Sequence, residues 1–270
     1  MEGSARRARA KRSLGQNFLI DRNIQRKIVA ALDPGPFDEV VEIGPGRGAL
    51  TRHLEGAVRR LVLVELDDAL AAALQDEYEG RQDVSVIHGD VLETPFLDLL
   101  AEPDQAKIIG NIPYNITTPI IFRLLERPRP ADIILMVQDE VADRIVAPVG
   151  TKAYGALSIG VRSVATAERL FKVRRRAFRP VPGVDSAILR ITPTRPEPLT
   201  EGDERTLRRI VRASFQWRRK QLRKILRAHP ELGFDPDRAR EAAEATGINL
   251  DDRPERLSPS DFIALAAKLG

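Results

Sequence analysis

The chain has no cysteine, which removes disulfide staples, thiol nucleophiles and cysteine-ligated zinc or iron–sulfur centres from consideration. Its three histidines, at positions 53, 88 and 229, fall at no ligand spacing, so no metal site is expected. No apolar run approaches the roughly 20 residues needed to cross a bilayer. The basic start, Met1 to Arg12, is not followed by the apolar segment of a secretion signal, so a cytoplasmic protein without membrane attachment is expected, with an organelle transit peptide the alternative. What is present is length and core. At 270 residues and 43% hydrophobic, the chain can hold one large domain or a domain and a smaller companion.

Charge is informative only once mapped. The formal net charge is +4, yet segments 1–12, 169–179 and 205–227 hold 5, 6 and 10 Lys or Arg against a single acid, Glu2. The remainder carries 22 bases and 38 acids. Segregated bases are the footprint of phosphate-backbone binding. Solvated helix faces are the alternative, and those normally mix signs.

Along the chain, Asp21 caps a predicted helix with Ile24, Ile28, Ala31 and Leu32 at helical spacing, entered by a loop over Gly15 to Leu19. Glu39 to Ile43 reads as a strand running into glycines at 44, 46 and 48, a turn that lets backbone approach a ligand at a helix N-terminus. The spacing is not that of a dinucleotide fingerprint, because the third glycine comes one residue early. Leu61 to Glu65 and Val84 to Asp90 read as further strands ending in acids, each strand followed by a helix-length segment. Asp67, Asp68 and Glu93 are read as surface acids. Lys107 to Gly110 and Ile133 to Val137 supply a fourth and fifth strand. Ligands of such sheets bind beyond the carboxyl ends of the strands, so Gly44, Glu65, Asp90 and Asn111 are expected to converge on one crevice. A nucleoside held by carboxylates without a phosphate cradle points to S-adenosylmethionine. Asn111-Ile112-Pro113-Tyr114, at the end of the fourth strand, offers an amide acceptor and a flat aromatic face on a stiff turn, which suits a planar ring bearing an amine. A strand end with a turn proline is the plainer alternative.

In Ser13-Leu14-Gly15-Gln16-Asn17-Phe18-Leu19, Glu42-Ile43-Gly44-Pro45-Gly46-Arg47-Gly48, Asn111-Ile112-Pro113-Tyr114 and Phe178-Arg179-Pro180-Val181-Pro182-Gly183-Val184-Asp185-Ser186, the chain resembles the KsgA-type ribosomal RNA adenine N6-dimethyltransferases. The resemblance runs from about Lys11 to the C-terminus. It implies an α/β, Rossmann-like seven-stranded methyltransferase fold with a small C-terminal all-helical domain. It also implies that Asn17 and Leu19 close over S-adenosylmethionine, that Gly44 and Gly46 form the turn near its methionine portion, and that Glu65 meets the ribose and Asp90 the adenine amine. Asn111, the Ile112 carbonyl, Pro113 and Tyr114 would form the catalytic turn, with Phe178 stacking on the target base opposite Tyr114. At Gly183 relatives often carry a side chain, which puts any RNA contact from that position in doubt.

Strands six and seven are expected at Leu170 to Val173 and Ala187 to Ile191, joined by the Phe178 loop. The run Pro148 to Gly155 is read as a surface loop or plain turn. The Pro-rich stretch Thr192 to Pro198 is the best boundary, dividing a catalytic domain, 1–194 with a basic arm over 1–12, from a helical RNA-binding domain, 195–270. Trp217, among bases, is a core anchor or a stacking surface.

The resemblance implies N6-dimethylation of two adjacent adenines in the 3′-terminal hairpin of small-subunit (16S) ribosomal RNA, met on the assembling subunit by a monomer, with S-adenosylhomocysteine as by-product. The basic segments would grip the RNA. Two rivals stand beside it: a large-subunit adenine N6-methyltransferase of the Erm type, and a noncatalytic assembly or transcription factor of the same fold.

Overall fold

The computed structural model describes residues 16–270, so the basic arm and Ser13 to Gly15 lie outside the described residues. The described chain forms two compact units, one comprising the residues up to Ala142 with Glu168–Pro193, the other Asp143–Ala167 with Thr194–Gly270.

In the first unit a two-residue strand β1 (Phe18–Leu19) leads into α1 (Arg22–Leu32). As expected, Asp21 is the N-cap, its carboxylate accepting the Asn23 and Ile24 amides. Next come β2 (Glu39–Ile43), the glycine turn, a single helical turn α2 (Thr51–Leu54), β3 (Arg60–Glu65), α3 (Asp68–Glu77) and β4 (Val84–His88). The helix-length segment expected after this strand is absent; Phe96–Leu99 makes one 3₁₀ turn instead. β5 (Lys107–Asn111), α4 (Thr117–Leu124), β6 (Asp132–Gln138) and α5 (Asp139–Val146) follow. After α6 (Ala156–Arg162) the chain returns with β7 (Ala165–Val173), β8 (Phe178–Arg179) and β9 (Ser186–Pro193).

Seven strands form one sheet in the order β4-β3-β2-β5-β6-β9-β7. β2 to β6 run parallel and β9 pairs antiparallel to β6. Parallel strands covered on both faces read as unbroken apolar runs, and all five residues of β2 are buried, Glu39 and Glu42 included. Strand order reverses between β2 and β5, the place where an open α/β sheet leaves a crevice at its carboxyl edge. Ile28, Val29 and Leu32 of α1 share one core with Val40, Leu61, Leu63, Ile109, Ile134 and Ile188.

β1 and β8 form a separate antiparallel pair that no periodicity announced, with Phe18 opposite Arg179 and Leu19 opposite Phe178.

The second unit is helical: α6 with α7 (Glu201–Gln216), α8 (Leu222–Ala228), α9 (Pro236–Thr246) and α10 (Pro259–Leu269). A capping box between Ser258 and Asp261 starts the last helix. The expected boundary after Thr194 lies one residue from the division at Pro193, but 143–167, expected in the catalytic domain, belong to this unit. Tyr154 explains why. Read as part of a surface loop or turn, it is fully buried, its hydroxyl donating to the Leu257 carbonyl at 2.7 Å and its ring edge-on to Phe215. Trp217 is partly buried against the same core and edge-on to His229. The charge segregation of 205–227 is reduced by folding, since Arg208, Arg212, Arg218 and Arg223 pair with Glu204, Glu231, Glu255 and Asp251. Among the described residues no helix is long and apolar enough to cross a membrane.

Candidate active site

At the carboxyl edge of the sheet, next to the strand reversal, lies a cavity of about 450 Å³ lined by Asn17, Leu19, Gly44, Gly46, Glu65, Asp90, Asn111, Ile112, Pro113 and Tyr114. That size suits a nucleoside-like ligand. Every candidate site residue except Phe178 is therefore brought to one place.

Two glycines make the geometry possible. Gly46 has φ +58° and an added Cβ would sit 3.3 Å from the Phe18 ring. At Gly110, within β5, an added Cβ would lie 2.8 Å from the Ile43 carbonyl oxygen, so only glycine lets β5 approach the end of β2 this closely.

The Glu65 carboxylate is held at both oxygens: Oε2 accepts the Gly46 amide at 2.9 Å and Oε1 the Asp67 amide at 2.9 Å. Each oxygen keeps lone-pair capacity for a ligand hydroxyl. Burial raises the Glu65 pKa, against the lowering effect of those two amides. Asp67, expected on the surface, is 2% exposed; Oδ1 caps α3 through the Ala69 and Leu70 amides and Oδ2 accepts Gln16 Nε2 at 3.1 Å. Asp90 spends Oδ1 on the Leu92 amide at 2.9 Å.

The segment carrying Asn17 and Leu19 is tied to the cavity wall at several points. Gln16 reaches Asp67, the Arg47 guanidinium stacks 4.1 Å from the Phe18 ring centroid, and Asn111 Nδ2 donates to the Asn17 carbonyl at 3.0 Å. This last bond fixes the Asn111 amide and leaves Oδ1 as its acceptor. Thr117 Oγ1 closes the following turn on the Pro113 and Tyr114 carbonyls. Tyr114 is half-buried, its hydroxyl 2.6 Å from Ser186 Oγ, and desolvation raises its pKa against that hydrogen bond.

Phe178 corrects the sequence expectation. It is fully buried in the core and does not line the cavity. The β1–β8 register is consistent with this: directly opposite residues share a face, and Phe178 lies opposite Leu19, with which it shares the core although Leu19 also reaches the cavity wall. Gly183, by contrast, is exposed with open space around its Cα.

Sequence reasoning passed over three lining or supporting residues. Glu42 lines the cavity at 1% exposure, in register with Leu63 and Ile109, and accepts Thr51 Oγ1 at 2.7 Å. Desolvation by these apolar neighbours, with repulsion from Glu65, moves its pKa up to about 7 despite the Thr51 bond. An acid inside an apolar strand was the available signal. Leu66 is 41% exposed and lines the cavity immediately after Glu65, an apolar surface where a ligand ring can rest. Ser186, which orients Tyr114, had no local signal at all.

A family model described as ribosomal RNA adenine dimethylase matches residues 7–269. The ribosomal RNA small subunit methyltransferase A of Geobacter metallireducens is 41% identical over 96% of this chain and 94% of its own length. The protein of the same name from Maridesulfovibrio salexigens is 44% identical over 96% and 95%. Among solved structures, a dimethyladenosine transferase from Plasmodium falciparum is similar at TM-score 0.79 and 28% identity, covering 92% of this chain and 95% of that one. The 23S rRNA methyltransferase ErmE is similar at TM-score 0.69 and 28% identity, covering 94% and 99%.

Proposed function

Since the chain belongs to the ribosomal RNA adenine dimethylase family, we propose that it dimethylates the N6 amines of two adjacent adenines in the 3′-terminal hairpin of small-subunit (16S) ribosomal RNA. S-adenosylmethionine is the methyl donor and S-adenosylhomocysteine the spent form. The single observation that carries the chemistry is the anchored Asn111 amide, whose Oδ1 is left to accept at the cavity wall.

The donor set fits this cofactor. Glu65 offers two fixed oxygens to ribose hydroxyls, Asp90 keeps Oδ2 for an adenine amine, Leu66 gives the ring an apolar seat, and Gly44 and Gly46 admit the methionine portion. Asn17 and Leu19 cover it. Ionised Glu42 supplies negative charge to a cationic ligand. When bound, the cofactor supplies an electrophilic methyl group on a cationic sulfur.

An adenine N6 amine is a weak nucleophile because its lone pair is delocalised into the ring. Asn111 Oδ1 and the Ile112 carbonyl accept its two protons, favouring the pyramidal geometry that exposes the lone pair. Pro113 stiffens the turn, and the Tyr114 ring, steadied by Ser186, gives the base a stacking face. No strong base is required, because the nitrogen becomes acidic once alkylated, and positioning supplies much of the barrier reduction. The monomethylated amine presents the same lone pair for a second transfer. The target adenine leaves its stack to enter, which a hairpin loop makes less costly.

Bases in 1–12, 169–179 and 205–227 contact the RNA backbone, the helical unit acts in RNA binding, and the protein works as a cytoplasmic monomer without a metal. Transfer of label from methyl-labelled S-adenosylmethionine to immature small subunits, with large subunits and DNA as parallel substrates, tests the reading. Label on small-subunit RNA at two adjacent adenines supports it. Preference for large subunits promotes the Erm-type rival, and no transfer promotes the noncatalytic one.

A further inference from the structure

Of the six bases of 169–179, Arg179 donates to the Phe178 and Arg176 carbonyls, and the other five divide sharply by partner. Arg169 pairs with Asp139, and Lys172 bridges Asp139 at 2.8 Å and Asp185 at 3.1 Å. These two are spent within the fold, on Asp139 and Asp185. Arg174, Arg175 and Arg176 follow on a 3₁₀ turn, all exposed, and none of their guanidinium groups forms an ion pair among the described residues. Three adjacent guanidinium groups repel one another, and the one carboxylate that attracts Arg175, Asp185, is already bound by Lys172 and the Arg175 amide.

The turn that carries them is pinned to the cavity rather than hanging free. The Arg175 amide donates to Asp185 Oδ1 at 2.9 Å, and the Ala177 amide to the Arg174 carbonyl at 2.9 Å. The Ala177 carbonyl accepts the Ile20 amide at 2.8 Å, and Phe178 and Arg179 pair with Leu19 and Phe18, both in the cavity wall. On the far side of the loop, Ser186 holds the Tyr114 hydroxyl. The arginines are thus positioned from both ends relative to the segment that covers the cavity and to the aromatic ring of the catalytic turn. Val181 and Val184, 50% and 48% exposed, give the same loop an apolar surface.

We propose that Arg174, Arg175 and Arg176 grip the phosphates of the RNA strand that carries the target adenine, and that Arg169 and Lys172 do not. The inference rests on the RNA-methylation reading above and sharpens it from a basic segment to three residues. A guanidinium fork suits bidentate phosphate binding, and exposed valines flanking it suit ribose and base faces. The pinned loop couples grip to delivery, because the strand it holds is the one whose base must reach Tyr114.

The test compares methyl transfer to small subunits by wild type, by the triple variant Arg174→Ala/Arg175→Ala/Arg176→Ala, and by Arg81→Ala/Arg123→Ala/Arg240→Ala. The second triple removes the same charge from arginines already paired with Asp83, Glu126 and Asp237. For the first triple, KM for RNA rises on the order of tenfold or more, and the slope of log affinity against log salt falls by about 2, at about 0.7 per single-strand phosphate contact. Its cofactor affinity and its kcat at saturating RNA stay near wild type. The control triple leaves the slope unchanged. A wild-type measurement covers the case of a variant that does not fold: bound RNA protects the Arg174–Arg176 peptide, but not Arg81, from modification by phenylglyoxal. Equal slopes for wild type and the first triple, equal losses in both triples, or no protection overturns the inference while wild-type transfer stands. Absence of transfer by wild type sinks the underlying reading instead.

Discussion

Replacing Glu42 by glutamine is expected to stabilise the ligand-free protein above neutral pH while weakening cofactor binding. The carboxyl is 1% exposed, between Leu63 and Ile109 in the sheet register, and its pKa moves from 4.5 to about 7, chiefly through desolvation. An acid whose folded pKa exceeds its unfolded value holds its proton more tightly in the native state. Its contribution is full below the unfolded pKa and is lost as pH rises through the folded one. A shift of this size is worth about 3 kcal/mol. Glutamine carries no charge at any pH and still offers Thr51 an acceptor. Glu65, also raised by burial, is present in both proteins and largely cancels. Urea titrations of ligand-free wild type and Glu42→Gln from pH 5 to pH 8 should therefore diverge, with the variant gaining about 2 to 3 kcal/mol relative to wild type across that range. S-adenosylmethionine binding by the variant should be weaker at pH 8 and should lose the wild type's pH dependence near neutrality. A constant difference across the range, or a variant that loses ground as pH rises, would refute the assignment of a buried, proton-holding carboxyl.

Two further substitutions probe the frame around the site and a third the core of the helical unit. Gly110→Ala forces a Cβ to within 2.8 Å of the Ile43 carbonyl oxygen, so it should cost about 1 to 3 kcal/mol in urea titration and reduce transfer by shifting Asn111. Phe178→Ala empties a fully buried core position and should cost about 3 to 5 kcal/mol; unchanged stability with lost turnover would instead restore a base-stacking role. Tyr154→Phe deletes the 2.7 Å bond to the Leu257 carbonyl and should lower stability by about 1 to 2 kcal/mol, measured by chemical denaturation of the whole chain.

The parts of this molecule legible in the sequence are those whose signal is local. Parallel strands buried on both faces leave apolar runs, and each run here ends where the chain turns at the carboxyl edge, so the sequence alone assigns Gly44, Glu65, Asp90 and Asn111 to one crevice. Pairings across long separations left no such trace. The two-residue ladder between Phe18–Leu19 and Phe178–Arg179 has no periodicity to detect, and it is what sets Phe178 beside Leu19 in the core. Tyr154 looked like part of a turn because its partners, Phe215 and Leu257, lie far along the chain. Charge runs misled for the same reason: acids that neutralise Arg169, Lys172, Arg212 and Arg218 come from distant positions. Glu42 was visible as an acid in an apolar strand, but its burial emerged only from the neighbouring strands' register.

The central claim is that the turn holding Asn111 is where the methyl group is transferred. Single-turnover transfer by Asn111→Ala to immature small subunits, with S-adenosylmethionine and RNA affinities measured on the same preparation, tests it most directly. The account predicts a rate loss on the order of 10² to 10³, the size of losing one preorganised acceptor or donor at the reacting group, with RNA affinity largely retained. Transfer within a few-fold of wild type would contradict it.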